Sequence, residues 1–387
     1  MAKIIFLTDF TEEYAKFLLK GIVEYTKEHE PWELCKMPLS YRVEHGVEGV
    51  LEWALDWGAD AIIAQFYPTD NVSIFAENGI IAIAQDFKQR FTNIPNITGD
   101  HIAAGRMGAE YFIQRGFKNF AFYGYRGVVW SDERFIGFRE TLEKKNLGKN
   151  LFEYQNIDFK DLWYYESKPL TEWLKLLPKP IAIMASDDNQ AHNIIEICNK
   201  NSIRIPEDVA ILGVDNDEAV CLMSIPPLSS INQDVEKGGF EAAEMIDRLL
   251  ANKGMKPYDI VVQPTHITTR NSTDTYATSN KHIQKALKHI HINTNEKLNV
   301  DDIVNLVPMS RRLLEIKFKE VTGESIYNYI LNLRIEKFIL QLVETDDAIV
   351  DIAMNLGFSD YKNISRQFKK MKGCTPLEYR KQHKIKK

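Results

Sequence analysis

The sequence predicts an α/β protein that ends in an all-α domain, and three observations carry that prediction. From the N-terminus to about residue 270, short apolar runs alternate with amphipathic stretches, the pattern of a parallel sheet wrapped by helices. Near the C-terminus a segment is written twice: Phe318-Lys319 leading to Gly323 and Tyr329 returns as Phe368-Lys369 leading to Gly373 and Tyr379. Charge divides at the same place. Residues 281–387 hold 20 Lys and Arg against 13 Asp and Glu, and residues 1–280 hold 28 against 41, so the formal total of −6 hides a tail of +7.

In chain order, strands are expected at 4–7, 61–64, 80–84, 120–123, 181–184 and 209–214, with helices at 12–28, 103–115, 132–146 and 188–200. Two halves are implied, divided near residue 98. In open parallel sheets ligands bind beyond the carboxyl ends of the strands. At those ends stand Asp9, Gln65, Gln85-Asp86, Ser186-Asp187-Asp188 and Asp215-Asn216-Asp217. Trp130 and Arg134, after the 120–123 strand, add a ring to stack on and a fork of donors. Such a set suits a neutral polyol such as a sugar, with Asp9, Gln65, Asp86, Trp130, Arg134, Asp187, Asp215 and Asn216 as its contacts. Asp and Asn at strand ends also make turns and helix caps, and Asp188 is expected to cap the helix at 189–200.

Catalysis is disfavoured. Asp187 and Asp188 are adjacent, which does not set two carboxylates across a scissile bond. No Gly-x-Ser-x-Gly, His-Glu-x-x-His, P-loop or Gly-x-Gly-x-x-Gly is present, and Gly124-Tyr125-Arg126-Gly127 lacks the spacing and Lys of a nucleotide loop. No cofactor is implied. Cys35, Cys198, Cys221 and Cys374 are scattered without a Cys-x-x-Cys pair, and His282, His289 and His291 lack a ligand-like spacing, so neither a disulfide framework nor a metal site is expected. The first apolar run is too short for a signal peptide, no stretch is long enough to span a bilayer, and a reducing cytoplasm fits.

The tail reads as two helix-turn-helix units. Val300, Ile303, Val304 and Val307 in one copy, and Ile349, Ile352, Ala353 and Leu356 in the other, form the buried face of a short first helix. The second helices bury Leu314, Phe318 and Val321, or Ile364, Phe368 and Met371, and turn a cationic face outward. Recognition helices present their first two turns to base edges. The candidate readers are therefore Ser310, Arg311, Arg312 and Glu315 in the first unit and Tyr361, Lys362, Ser365 and Arg366 in the second. Lys317, Lys319, Lys369, Lys370 and Lys372 are better placed for phosphates. Residues 325–343 should form one long helix fixing the separation of the units, and the Ser, Thr and Asn of 271–280 read as a linker before the tail domain at 281–387.

Several motifs carry a resemblance. Ile97-Thr98-Gly99-Asp100, Glu133-Arg134-Phe135-Ile136-Gly137-Phe138, Ala185-Ser186-Asp187-Asp188-Asn189-Gln190-Ala191, Ile205-Pro206-Glu207-Asp208-Val209, Gly213-Val214-Asp215-Asn216 and Pro227-Leu228-Ser229-Ser230-Ile231-Asn232-Gln233-Asp234 resemble the sugar-sensing domain of LacI-type repressors over residues 1–270. Gly357-Phe358, Phe368-Lys369-Lys370, Gly373 and Thr375-Pro376-Leu377-Glu378-Tyr379-Arg380 are similar to the AraC/XylS activators. A sensor of the first kind ahead of a tail of the second is the layout of the XylR-type xylose-responsive activators. The resemblance implies a two-lobed periplasmic-binding-protein-like sensor, its lobes crossing near 98 and 230, followed by an all-α domain with two helix-turn-helix motifs. It further implies operator DNA, RNA polymerase and a pentose, D-xylose first, as partners. A homodimer through the sensors is implied too, for which the amphipathic helices in 1–30 and 235–250 look suited. The same layout would serve another monosaccharide, or repression. Val304, Pro308 and Phe338 depart from the family's small residues and imply altered packing around the first motif.

Overall fold

The computed structural model describes residues 1–154, 166–251, 256–276, 278, 280–293, 298–345, 347–358 and 361–383. They fall into two compact units: residues 1–111 with 119–273, and residues 112–118 with 274–387.

The first unit holds two parallel-sheet lobes. Its chain begins with β1 (Lys3–Thr8), α1 (Glu13–Glu28), β2 (Glu33–Pro38), α2 (Leu39–Trp57), β3 (Ala61–Ala64), α3 (Ser73–Glu77), β4 (Ile81–Gln85) and β5 (Asn96–Gly99). It then passes to the second lobe with α4 (His101–Gln114), β6 (Phe120–Tyr123), α5 (Val129–Lys144), β7 (Leu151–Tyr154), α6 (Ser167–Leu176), β8 (Ile181–Ala185), α7 (Asp188–Lys200), β9 (Val209–Val214), α8 (Glu218–Met223) and β10 (Ser229–Gln233). Helix α9 (Val235–Ala251) and β11 (Ile260–Val262) return to the first lobe, and β12 (Pro264–Thr268) goes back to the second. The sheet orders are β11-β5-β4-β3-β1-β2, parallel throughout, and β12-β10-β9-β8-β6-β7, in which only β12 is antiparallel to its neighbour. The lobes are thus crossed three times, near 100, at 234 and at Gln263; the sequence suggested two.

Central strands are apolar because both faces are covered: β3, β8 and β9 are buried at every residue. Edge strand β2 buries only Met37, which is why no apolar run marked it. Helices α1 and α9 bury Leu18, Ile22, Ala242, Ala243 and Ile246 in the first lobe's core. Their apolar stripes therefore face each other and the sheet, and the expectation that those stripes serve a dimer is corrected.

The first three residues of the stretch 271–280, expected to be a linker, are not a free tether. Residues Asn271–Thr273 form a 3-10 turn in which Ser272 and Thr273 are fully buried. The Ser272 hydroxyl donates to the Ile211 carbonyl at 2.6 Å and accepts from the Ser229 N–H at 2.8 Å. Ser272 thus satisfies buried backbone groups, and the Thr273 hydroxyl donates to that of Ser229 at 2.7 Å.

The second unit contains α10 (Lys281–Ile292), α11 (Val300–Leu306), α12 (Arg311–Thr322), α13 (Ile326–Glu344), α14 (Ile349–Asn355), α15 (Tyr361–Lys372) and α16 (Pro376–His383). Asn280, Asn299, Ser310 and Ser325 cap four of these helices with side-chain acceptors. Each copy of the sequence repeat has its own core, one around Ile303, Leu314 and Phe318, the other around Ile352, Ile364 and Phe368. The repeated Phe and Tyr make the same edge-to-face pair twice, Phe318 with Tyr329 and Phe368 with Tyr379, both with ring centroids 5.4 Å apart. The repeated glycines, Gly323 and Gly373, take φ of +80° and +77° after α12 and α15, a left-handed turn that suits a residue without a Cβ. Phe338, expected to disturb the first motif, lies in the core of the second, 5.8 Å from Phe368. Pro308 is exposed.

Candidate ligand site and nucleic-acid interface

A cavity of 660 Å³ in the first unit is lined from both lobes. Asp9, Glu12, Tyr14, Gln65, Gln85 and Asp86 enter from the strand ends and α1 of the first lobe, and Tyr125, Trp130, Arg134, Asp187 and Asp215 from the second. Of the eight sugar contacts expected from sequence, seven line it. Asn216 does not: its Oδ1 accepts from the Arg270 guanidinium at 2.9 Å and its N–H donates to the Ser230 hydroxyl at 3.0 Å, so the side chain holds the turn together.

Arg134 is the centre of the second lobe's wall. Its guanidinium is buried, donates to the Ser186 carbonyl, meets Asp215 Oδ1 at 3.0 Å and lies 5.5 Å from the Trp130 ring. Trp130 in turn stands edge-on to Tyr125 at 5.8 Å. Asp215 also accepts from Gln233 and holds φ at 98°, a strained conformation for a residue with a side chain. Just past the end of β9, the carboxylate is held between Arg134 and Gln233.

Asp187, not Asp188, caps α7. Asp187 Oδ1 accepts from the Gln190 N–H at 2.9 Å, while Asp188 is buried with its oxygens on the Ser230 hydroxyl at 2.6 Å and the Asp217 N–H at 2.7 Å. The cap falls one residue earlier than the sequence suggested because Asp188 is taken by the Asp217 N–H between β9 and α8 and by the Ser230 hydroxyl on β10. Burial pushes Asp187 up to about 6 and Asp188 well above the carboxylate range.

On the first lobe, Asp9 accepts from the N–H and hydroxyl of Thr11 at 2.9 and 2.6 Å, closing the turn into α1. Asp86 Oδ2 accepts from Thr98, from the Gly99 N–H at 3.3 Å and from His101 Nε2 at 2.9 Å. Burial lowers the His101 pKa, so the ring is neutral, carries its proton on Nε2 toward Asp86, and leaves Nδ1 as an acceptor.

Sequence reading missed Glu12, Tyr14, His101 and Tyr125, and it placed Gln85 at a strand end without counting it among the contacts. Glu12 precedes α1 at the cap position but makes no capping bond, and faces the cavity instead. Glu12 is exposed by residue area, yet loss of water around its carboxyl where it lines the cavity, then the charges of Asp9, Asp215 and Asp187, push its pKa up to about 8. Only Gln85, at the end of β4 beside Asp86, carried a sequence signal. The others sit on helices or turns whose distance from the cleft depends on lobe packing. Tyr14 Oη, Gln65 Oε1, Gln85 Oε1, Asp86 Oδ1, His101 Nδ1 and Arg134 Nε are buried polar atoms of the lining without a hydrogen-bond partner among the described residues. Polar atoms left so are costly, and a ligand rich in hydroxyls would satisfy them.

In the second unit, α12 and α15 are the second helices of the two repeats. Ser310 caps α12 and accepts from the Leu313 N–H at 3.4 Å. Arg311 donates to Asp301 at 2.7 Å and to Glu315 at 3.3 Å, while Arg312 is exposed. On α15, Ser365 is half-buried, and Arg366, Lys369 and Lys370 are exposed. The side chains of Tyr361 and Lys362 lie outside the described residues.

Residues 109–273 match the periplasmic binding protein-like domain family, and residues 303–382 match a helix-turn-helix domain family. Joined in this order behind the cavity and the doubled motif, they define the class: a sugar-responsive, DNA-binding transcription regulator. Along almost the whole chain the layout is similar to that of the xylose operon regulators. The xylose operon regulatory protein of Escherichia coli strain K12 is 27% identical over 98% of this chain and 96% of its own. That of Haemophilus influenzae is 29% identical over 83% and 84%. The solved structure of a xylose-binding transcription activator, xylR, aligns with a TM-score of 0.59 at 26% identity, covering 99% of this chain and 98% of that one.

Proposed function

We propose that the protein is a cytoplasmic, D-xylose-responsive activator of pentose-utilisation genes that binds its sugar without transforming it. The observation that carries the sugar reading is the group of buried polar atoms lining the 660 Å³ cavity without hydrogen-bond partners among the described residues, including Tyr14 Oη, Gln65 Oε1 and Arg134 Nε. A pentose offers hydroxyls of both hydrogen-bonding senses to such a wall, and Trp130 offers its ring face a stacking partner. Asp9, Gln65, Asp86, Trp130, Arg134, Asp187 and Asp215 make the contacts in this reading. The similarity to regulators named for the xylose operon favours D-xylose over hexoses.

Sugar bridging both walls favours the closed arrangement of the lobes by its differential affinity for that state. Closure then changes how a homodimer presents its tails to operator DNA and RNA polymerase. Calorimetric titration with a panel of free pentoses and hexoses tests the sensor. D-xylose is expected to bind tightest and to be recovered unchanged; a hexose that outcompetes it, or turnover of the sugar, refutes the reading. Sedimentation of the purified protein tests the dimer.

A further inference from the structure

Helix α12 turns Leu314 and Phe318 into the core of the first repeat, both fully buried, so its opposite face is the one available to a major groove. That face is unusual for a DNA reader. Leu313 is 45% exposed and Ile316 47% exposed, three residues apart and therefore neighbours on the helix surface. The residues around them are cationic or engaged. Arg312 is exposed one turn before Ile316, and Lys317 and Lys319 follow, Lys317 paired with Glu320 at 2.7 Å. Arg311, the side chain that could fork onto guanine, donates to Asp301 at 2.7 Å and to Glu315 at 3.3 Å, and Ser310 is occupied as the cap.

We propose that Leu313 and Ile316 read thymine C5-methyl groups, so that the first motif specifies a thymine-bearing half-site by apolar contact rather than through Arg311. Thymine is the base that presents a methyl group in the major groove, and apolar side chains are its partners there. A pair of exposed aliphatic side chains in a basic setting fits a surface that is anionic at its rim and methylated at its floor. Arg312 and the lysines supply attraction to phosphate, and the aliphatic pair supplies the choice of base. The proposal rests on α12 being a recognition helix of a DNA-binding unit.

The test uses the full-length protein with D-xylose present. Duplexes are first selected from a random pool, and each thymine of the winning sequence is then replaced singly by uracil, which deletes only the methyl group. Wild type is expected to lose roughly fourfold in affinity at one or two thymines, the factor expected for burying one carbon. Ile316→Ala and Leu313→Ala should each abolish the penalty at one of them, and Ile316→Val should retain it. Placing 5-methylcytosine at a sensitive position should bind wild type better than cytosine, with no such difference in Ile316→Ala. The proposal is overturned if no uracil penalty depends on either residue, if the variants weaken all sequences alike, or if they change only self-association. Failure of the pool to enrich any sequence would overturn the DNA-binding reading itself, and this proposal with it.

Discussion

Asp215 joins backbone strain to ligand chemistry in one residue. Its backbone takes φ of 98° while its carboxylate accepts from the buried Arg134 guanidinium at 3.0 Å. Asp215→Ala should weaken sugar binding by about 1.5–3 kcal/mol, the scale of a hydrogen bond to a charged group, and should lower Tm because buried Arg134 loses a partner. Calorimetry on the folded variant checks the first, and an unchanged affinity would remove Asp215 from the site. Glu12 gives a second test. Its folded pKa of about 8 lies above the ordinary 4.5, so between those values the folded chain holds a proton that the unfolded chain releases. Its contribution is therefore greatest below pH 4.5 and is lost as pH rises through 8. Denaturation midpoints of Glu12→Gln against wild type from pH 5 to 8.5 should show the variant's decline to be shallower. Among single residues, the cleft carboxylates and amides were legible because they end strands, whereas Glu12, Tyr14 and Tyr125 were not, since nothing in their spacing says which lobe wall they face.

Among the elements, the crossing of α4 and α5 controls the site from outside it. A Cβ on Gly105 would stand 2.0 Å from the Arg134 carbonyl, and one on Gly137 would stand 2.0 Å from that of Ile102. The two backbones touch because neither glycine has a side chain. Gly105→Ala must push α5 away, and with it Trp130 and Arg134. A loss of about 1–3 kcal/mol in stability is expected, the usual cost of overpacking, together with weaker sugar binding. Thermal unfolding and calorimetry on the same variant read both, and a loss of stability with unchanged affinity would show that α5 relaxes without moving the site. The helices of the tail repeat were legible because each buries one stripe. Helix α2 was not: Gly46 and Gly49 interrupt the stripe of Val47, Val50 and Ala54, and Gly46 breaks from helical backbone at φ +71°. The third crossing was hidden too, since β11 is three residues long and reads as part of a loop.

At the scale of the whole molecule, the acidic sensor and the basic tail respond differently to solution conditions. Binding to operator should fall steeply with salt, and Lys370→Ala should flatten that dependence on every sequence, while Arg366→Ala should cost about 1–3 kcal/mol on the operator and relax preference at one position. Equal effects of the two changes on operator and random duplex would refute the division. Acid should destabilise the tail through His291, which donates to or accepts from the Tyr329 hydroxyl at 2.8 Å. Burial above all pushes its pKa down to about 3, so below the ordinary 6.5 the unfolded chain gains a proton that the folded chain refuses. Stability present above pH 6.5 is lost as pH falls toward 3, and thermal scans of His291→Gln from pH 4.5 to 7 should show a flatter acid limb than wild type. The division into sensor and tail was legible from charge and repeat alone, but the end of the sensor was not, because Ser272 and Thr273 look like solvated residues until their buried partners are known.

The threefold passage between lobes bears on how the chain is made. A ribosome delivers β1 to β5 first, yet the strand that flanks β5 and the helix that covers α1 lie beyond residue 234. The second lobe in turn waits for β12 and the turn at Asn271–Thr273. Neither lobe can close its core until some 260 residues have been polymerised, so Leu18 and Ile22 stay uncovered for most of synthesis, a window in which holding chaperones would find a binding surface.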